Sequence, residues 1–262
     1  MIRHFFKAVA PVAMVAVIAA LGGCDLAKVS INGEEGKKLA DLDLTAETPH
    51  DLVLLGPDTV RITRGDKLAI AIEGDSAVAE NLRFTLKDGT LGILRKDKPW
   101  SGDNGKVTVN VTMPDPVGLT MAGSGVIESQ ALSSADAKIN IVGSGSVATP
   151  VVAAESLKVN IAGSGSYRAA GTAKNLKLTI AGSGDARLDA LKVEDAKVDV
   201  AGSGDSTFAS DGSVKANIMG SGQVRVLGRA TCKVSSMGSG RLVCEPGPDA
   251  EGTAKPAGQP AA

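Results

Sequence analysis

Six lysines recur at a nearly constant interval in the second half of the chain. They are Lys138, Lys158, Lys177, Lys197, Lys215 and Lys233. If equivalent positions stack in a parallel sheet, their ammonium groups form a column with a spacing of about 4.8 Å. Like charges directly opposite one another disfavour strand pairing. The column is therefore either a solvated face, whose long stems cover apolar strand surface, or a cationic stripe for polyanions such as acidic polysaccharide, lipopolysaccharide phosphates or phospholipid headgroups.

Seven serines recur at a similar interval, and each is the centre of a Gly-Ser-Gly tripeptide. They are Ser124, Ser144, Ser164, Ser183, Ser203, Ser221 and Ser239. A hydrolase nucleophile in a motif of this kind occurs once, at a strand-to-helix turn and with a histidine partner. Seven copies indicate instead a structural role, in which stacked hydroxyls satisfy backbone groups at repeated bends.

Neither a metal nor a cofactor is predicted from the residue types. Gly182-Ser183-Gly184-Asp185 and Gly202-Ser203-Gly204-Asp205 partly match the element of calcium-binding β-rolls. Those rolls repeat about every nine residues, however, and the other five copies here have a different residue in place of the aspartate. Beyond Cys24, only His50 and two cysteines remain as typical zinc ligands, which is too few for a site. A formal net charge of −1 gives no basic balance that would favour nucleic acid.

A carbohydrate-active enzyme, a polysaccharide lyase or hydrolase on a β-helix, is the alternative to a binding module. Glu194 and Asp195 are the candidate carboxylate pair, at a predicted turn. Sugar-active sites need convergent acids and aromatic platforms, and aromatic residues make up only 2% of the sequence. We therefore expect a non-enzymatic module.

The segment that ends at Cys24 has the pattern of an export signal. Arg3, His4 and Lys7 form a positive start, and residues 8–21 form an apolar run that is short for a membrane span. The run ends at Leu21-Gly22-Gly23-Cys24, which looks like a lipobox, in which Cys24 is acylated. We predict a signal peptide over residues 1–23, a linker over 24–39 and a lipid anchor that holds the protein on the envelope membrane, facing the periplasm or the cell surface. The alternative is an ordinary signal peptide, with Cys24 incidental.

Two cysteines near the C-terminus form a candidate disulfide. Cys232 and Cys244 lie six positions before and six positions after Gly238, which opens the last Gly-Ser-Gly tripeptide. Exported proteins meet an oxidising compartment, where such pairs are commonly bonded. A bond here would staple the terminal repeat; the alternative is two buried free thiols.

The repeat determines the predicted fold. The seven tripeptides begin at Gly123, Gly143, Gly163, Gly182, Gly202, Gly220 and Gly238. The positions six, four and two before each tripeptide are apolar in nearly every copy. The column four before reads Ile139, Val159, Leu178, Val198, Ala216 and Val234. Alternation with period two predicts strands with one buried face. Its recurrence predicts an all-β, right-handed parallel β-helix with Gly-Ser-Gly corners over residues 118–244.

The flanking segments have a different composition. Residues 40–117 contain short apolar runs separated by turn residues, including an Asp88-Gly89 hairpin signal. We predict that they form an antiparallel β-cap, because an open solenoid end is an exposed apolar edge. Residues 245–262 are rich in proline, alanine and glycine and are predicted to be disordered.

With these features together, the chain resembles the head GIN domain family, named for auto-transporter adhesins. The segment 51–66, the segment 86–93 followed by 107–114, and the Gly-Ser-Gly array carry the resemblance, which covers roughly residues 40–243. The resemblance implies the solenoid fold and a surface module, and it implies no catalytic residue. We expect the protein to differ from an auto-transporter, in which a membrane barrel follows the repeats.

Overall fold

The computed structural model describes residues 17–18, 30–96 and 105–245. Cys24, most of the signal segment 1–23 and the tail from residue 246 onward lie outside the described residues. The signal peptide, lipid attachment and disordered tail therefore stay predictions. Among the residues that are described, no helix is long and apolar enough to cross a membrane.

The described chain is almost entirely β-strand. The N-terminal strands are β1 Val17–Ile18, β2 Ser30–Ile31, β3 Glu34–Glu35, β4 Asp51–Leu55, β5 Thr59–Arg64, β6 Ala69–Glu73, β7 Leu82–Lys87, β8 Thr90–Arg95 and β9 Thr108–Met113. The repeat region continues with β10 Gly118–Gly123, β11 Val126–Ser129, β12 Leu132–Gly143, β13 Ser146–Gly163, β14 Ser166–Gly182, β15 Asp185–Gly202, β16 Ser206–Gly220, β17 Gln223–Leu227, β18 Thr231–Gly238 and β19 Arg241–Glu245. Two short helices interrupt them, a 3₁₀ turn at Leu39–Asp41 and α1 at Ser76–Ala79.

The repeats stack as a parallel β-solenoid of about six turns, which confirms the predicted architecture. Successive coils pair in parallel and in register, so that Ile139 lies beside Val159, and Val159 beside Leu178. These inward columns are fully buried in the middle coils. Two large side chains near the start of their strands fill the core, Tyr167 in β14 and Phe208 in β16, and both are completely buried.

The core contains a buried hydroxyl pair. Thr149 Oγ1 and Tyr167 Oη lie 2.7 Å apart in adjacent coils. Burial raises the pKa of Tyr167 well above its usual value, so the phenol stays protonated and the pair is a neutral hydrogen bond. Each hydroxyl thereby has a partner, as a buried polar group requires.

The Gly-Ser-Gly corners are held by backbone contacts between coils. Gly163 has a φ of +115°, and a Cβ placed there would lie 2.5 Å from the carbonyl oxygen of Gly143 in the preceding coil. Only glycine allows both this φ and this close approach. Ser164 donates its backbone N–H to the same Gly143 oxygen at 2.9 Å. The prediction that serine hydroxyls satisfy the corners is wrong: all seven side chains are exposed, and among the described residues their Oγ atoms make no hydrogen bond.

The N-terminal region closes one end of the solenoid, but the prediction of an antiparallel cap is only partly correct. The outer strands do pair antiparallel, β6 with β9 and β7 with β8. The others form two further coils, because β4 pairs in parallel with β8 and β10, while β5 pairs in parallel with β9 and β11. The predicted hairpin is confirmed, with a φ of 52° at Asp88 and 69° at Gly89.

Part of the predicted linker 24–39 is also structured. Strands β1, β2 and β3 form a small antiparallel sheet. Ile31 is 1% exposed and packs in a separate cluster with Val53, Leu55, Leu94 and Ala122. The linker interpretation is therefore wrong for residues 30–39, because the buried side chain of Ile31 holds this segment against the solenoid.

The C-terminal end of the solenoid has no covering coil among the described residues. Val234 occupies an inward position yet is 52% exposed. Its equivalents in the middle coils are fully buried. The described solenoid thus has one end closed by the N-terminal strands and one end whose last coil is open.

Candidate functional site: the lysine face

The six lysines predicted to stack do form one continuous column, which we call the lysine ladder. Each lysine lies beside the next in register, from Lys138 with Lys158 to Lys215 with Lys233. Lys138 is half-buried and the other five are exposed. The ladder runs along the outer side of the strand segments that lead into the corners, residues 136–142, 156–162, 175–181, 195–201, 213–219 and 231–237, and we call this side the lysine face.

The ladder has few counterions. Lys197 Nζ lies 3.7 Å from Asp199 Oδ2, and both side chains are substantially exposed. Among the described residues, the other five ladder lysines have no carboxylate partner. The outward positions two residues to either side of the ladder supply three carboxylates, Asp136, Asp195 and Asp199, against six lysines. The face is therefore cationic although the whole chain has a formal charge of −1.

A column of amides runs beside the ladder and stiffens the face. Asn160 Nδ2 donates to Asn140 Oδ1 at 3.0 Å, and Asn140 Nδ2 donates to Thr120 Oγ1 at 3.3 Å. Farther along, Asn217 Nδ2 donates to Asp199 Oδ1 at 2.7 Å. Because these bonds run from coil to coil, they hold neighbouring outward side chains in register.

An apolar stripe forms the other margin of the lysine face. It consists of Val142, Ala162, Ala181, Ala201, Met219 and Met237, the residues that directly precede the last six of the seven Gly-Ser-Gly corners. All six are exposed, with Met219 at 59% and Met237 at 75%. Sequence reasoning missed the stripe because it followed only the inward columns, although aligning the repeats on their first glycine displays an unbroken apolar column.

The two C-terminal cysteines are joined in the structure. Cys232 and Cys244 form a disulfide across the last corner, with their Cα atoms 6.8 Å apart. Cys232 is half-buried and Cys244 is exposed. The bond links β18 to β19 and closes the one described coil that no further described coil covers.

The carboxylates considered for catalysis do not form an acid–base pair. Glu194 and Asp195 lie within β15, not at a turn as predicted, and both are exposed. Glu194 borders a shallow groove of about 530 Å³, whose other charged groups include Asp211. A hydrogen bond from Lys192 and one from the backbone of Arg229 lower the pKa of Asp211. A general acid needs a raised pKa, so Asp211 is not placed to act as one.

No cluster of metal-binding side chains is present in the part of the chain that the structure describes.

The buried ion pair between Asp58 and Arg95, which sequence reasoning missed, is structural. Arg95 Nε and Nη2 contact Asp58 Oδ2 and Oδ1 at 2.8 and 2.6 Å, and both side chains are at most 3% exposed. The carboxylate also accepts the backbone N–H of Val107 at 3.1 Å, so its lone pairs are used within the fold.

The fold and the site define a parallel β-solenoid with a cationic outer face. Residues 48–230 match the family described as "Putative auto-transporter adhesin, head GIN domain", and the chain belongs to that family. The match confirms the resemblance drawn from the repeats and the N-terminal strands. The family is described as a putative adhesin, and the structural neighbours reported below are named as putative adhesins or as a putative lipid binding protein, not as enzymes.

Three crystal structures share the fold. A putative adhesin from Bacteroides fragilis has a TM-score of 0.68 at 20% identity, covering 76% of this chain and 93% of its own. A putative lipid binding protein from Parabacteroides distasonis has a TM-score of 0.59 at 20% identity, covering 75% and 92%. A putative adhesin from Parabacteroides merdae has a TM-score of 0.60 at 17% identity, covering 77% and 93%. No functionally curated protein matches the chain.

Proposed function

We propose that this protein is a non-enzymatic, exported lipoprotein of the cell envelope, a binding module that is adhesin-like or scaffold-like. Cys24 carries its lipid anchor, and the lysine face is its binding surface for polyanions. The observation that carries the proposal is the in-register lysine ladder, five of whose six members have no carboxylate partner among the described residues.

The electrostatics of the ladder favour a polyanionic ligand. Two ammonium groups about 5 Å apart repel by roughly 0.8 kcal/mol even at the dielectric constant of water, before salt screening. A linear or planar array of anions would remove this repulsion at every coil. The same regular spacing lets one ligand engage several lysines, so weak individual contacts add up.

Replacing three central lysines should weaken polyanion binding about tenfold or more at low salt. The variant is Lys177→Gln/Lys197→Gln/Lys215→Gln, and each removed cation contributes on the order of 0.5–1 kcal/mol near a polyanion. A matched variant, Lys67→Gln/Lys96→Gln/Lys106→Gln, removes the same charge from exposed positions in the N-terminal region. Titration against an acidic polysaccharide and against anionic vesicles, at two salt concentrations, measures the effect. Equal weakening by both variants would mean that net charge, not the ladder, controls binding.

Replacing Cys24 with alanine should release the protein from the membrane fraction, because the acylated thiol would be lost. Envelope fractionation, labelling with a lipid precursor and protease accessibility in intact cells provide the measurement. A control variant, Cys232→Ala/Cys244→Ala, keeps the proposed anchor and should remain membrane-bound. A wild-type protein that is soluble and carries no lipid label would contradict the anchor.

A further inference from the structure

We infer that the lysine face lies flat against an anionic phospholipid bilayer, with the apolar stripe at the headgroup boundary. The inference rests on the proposed function and deepens it, because it selects the bilayer from the polyanions that the ladder could bind. Three features carry it: the pairing of cationic and apolar columns on one side of the sheet, the course of the N-terminal segment, and the length of chain between that segment and Cys24.

The lysine face combines the two properties that favour binding to an anionic bilayer, a row of cations and a row of exposed apolar side chains. The ladder and the apolar stripe lie four positions apart on the same strands, which corresponds to about 13 Å. Six stacked strands extend both columns over about 24 Å. Three of the exposed large apolar side chains, Val142, Met219 and Met237, lie on this stripe. Anionic headgroups attract the lysines, and flexible apolar side chains such as methionine enter the boundary below them.

The apolar stripe continues into a region that the N-terminal segment already covers. Ala122 lies in register with Val142 on one side and with Leu55 on the other, and Leu55 lies in register with Leu94. Ile31 packs against this part of the column and buries it. A Cβ on Gly92, an outward position, would lie 2.6 Å from Ile31 Cδ1, which places Ile31 on the outer side of the sheet.

The proposed anchor therefore starts from the same side of the molecule as the lysine face. Ser30, the first residue of β2, is only six positions after Cys24. Even a fully extended chain of that length spans only about 20 Å. An acylated Cys24 thus keeps this side of the solenoid close to the membrane. An acidic polysaccharide could form ionic contacts with the ladder, but it has no apolar region into which Met219 and Met237 could insert.

The test places an environment-sensitive fluorophore at two sites of similar exposure. Met219→Cys labels the stripe, and Val151→Cys labels a residue that is 54% exposed and lies eight positions after Gly143, off the lysine face. The introduced thiol is the only free one, because Cys232 and Cys244 are bonded and Cys24 is acylated in the proposed mature form. The lipidated full-length protein is reconstituted into vesicles of phosphatidylglycerol and phosphatidylcholine, and the vesicles are recovered by flotation.

On phosphatidylglycerol vesicles, brominated acyl chains should quench the Met219→Cys probe at least twice as strongly as the Val151→Cys probe. The difference should disappear on pure phosphatidylcholine and in the Lys177→Gln/Lys197→Gln/Lys215→Gln background, but persist in the Lys67→Gln/Lys96→Gln/Lys106→Gln background. Equal quenching at both sites would overturn the inference. The inference would also be overturned if the Met219→Cys probe were shielded from water on pure phosphatidylcholine. In that case a second copy of the protein or its own tail, not an anionic bilayer, would cover the apolar stripe.

The outcomes separate this inference from the proposed function. In one outcome the protein floats with the vesicles, its Met219→Cys probe stays exposed to water, and it binds acidic polysaccharide through the ladder. This result would overturn the bilayer inference but would support the proposed function of a lipid-anchored binding module. Protein that does not float overturns the anchor and, with it, the inferred orientation. Protein that floats and shows the expected quenching supports both.

Discussion

Replacing Gly163 with alanine should destabilise the solenoid by about 4 kcal/mol, which is a large fraction of the stability of a typical domain. Two costs add. The first is backbone strain, because Gly163 has a φ of +115°, and a residue with a Cβ loses about 2 kcal/mol in such a conformation. The second is overpacking, because the Cβ would lie 2.5 Å from the Gly143 oxygen, and a crowded contact of this kind costs about 2 kcal/mol. That oxygen accepts the Ser164 N–H, so the corner cannot relax without losing a hydrogen bond between coils.

Two control variants separate these costs in equilibrium denaturation. Gly33 has a φ of +77° with no atom within 4 Å of an added Cβ. Gly33→Ala should therefore cost only about 1 kcal/mol. Ser164→Ala removes an exposed hydroxyl that makes no hydrogen bond and should change stability by less than about 0.5 kcal/mol. If Gly163→Ala costs no more than Gly33→Ala, the close stacking of the corners is not what restricts them to glycine.

Replacing Asp58 with alanine should destabilise the N-terminal coils by about 4 kcal/mol. The change leaves the Arg95 guanidinium buried without its carboxylate, and breaking one half of a buried ion pair costs that much. It also removes the acceptor of the Val107 N–H. Hydrogen exchange of the amides in β8 and β9, together with the denaturation midpoint, measures the loss and locates it.

The double variant Asp58→Asn/Arg95→Met should recover most of this stability, since no unpaired charge remains and the amide oxygen can still accept from Val107. For comparison, Arg61→Gln breaks an ion pair with Glu128 whose side chains are about half exposed, and it should cost less than about 1 kcal/mol. A double variant as unstable as Asp58→Ala would show that the charges themselves are not the origin of the cost.

The regular part of the fold could be predicted from sequence because its information is local and repeated. Alternation such as Ile139 and Ile141 specifies a buried face, and each glycine corner marks the end of a strand. The repeats then specify register, because a one-residue slip would turn every apolar side chain outward. The lysine ladder followed from the same register, and the structure places it as the repeats require.

The N-terminal coils could not be predicted in the same way. The pairing of Leu52 with Leu91, and of Leu52 with Leu119, joins segments that share no tripeptide motif. Residues 52–55 are apolar at every position because Ile31 covers the outer side while the core lies on the other. The pairing of Asp58 with Arg95 could not be predicted from the sequence either, because two opposite charges far apart in the chain form no local pattern.

The order of the coils in space differs from their order along the chain, and this has a consequence for folding. Strands β4 and β5 lie between β8 and β9 on one side and β10 and β11 on the other. Both neighbours come later in the sequence, so the coil of β4 and β5 gains a neighbour first on one side and then on the other. The stack therefore does not grow in a single direction along the chain: β8 and β9 add to one side of this coil, and β10, β11 and the repeats add to the other.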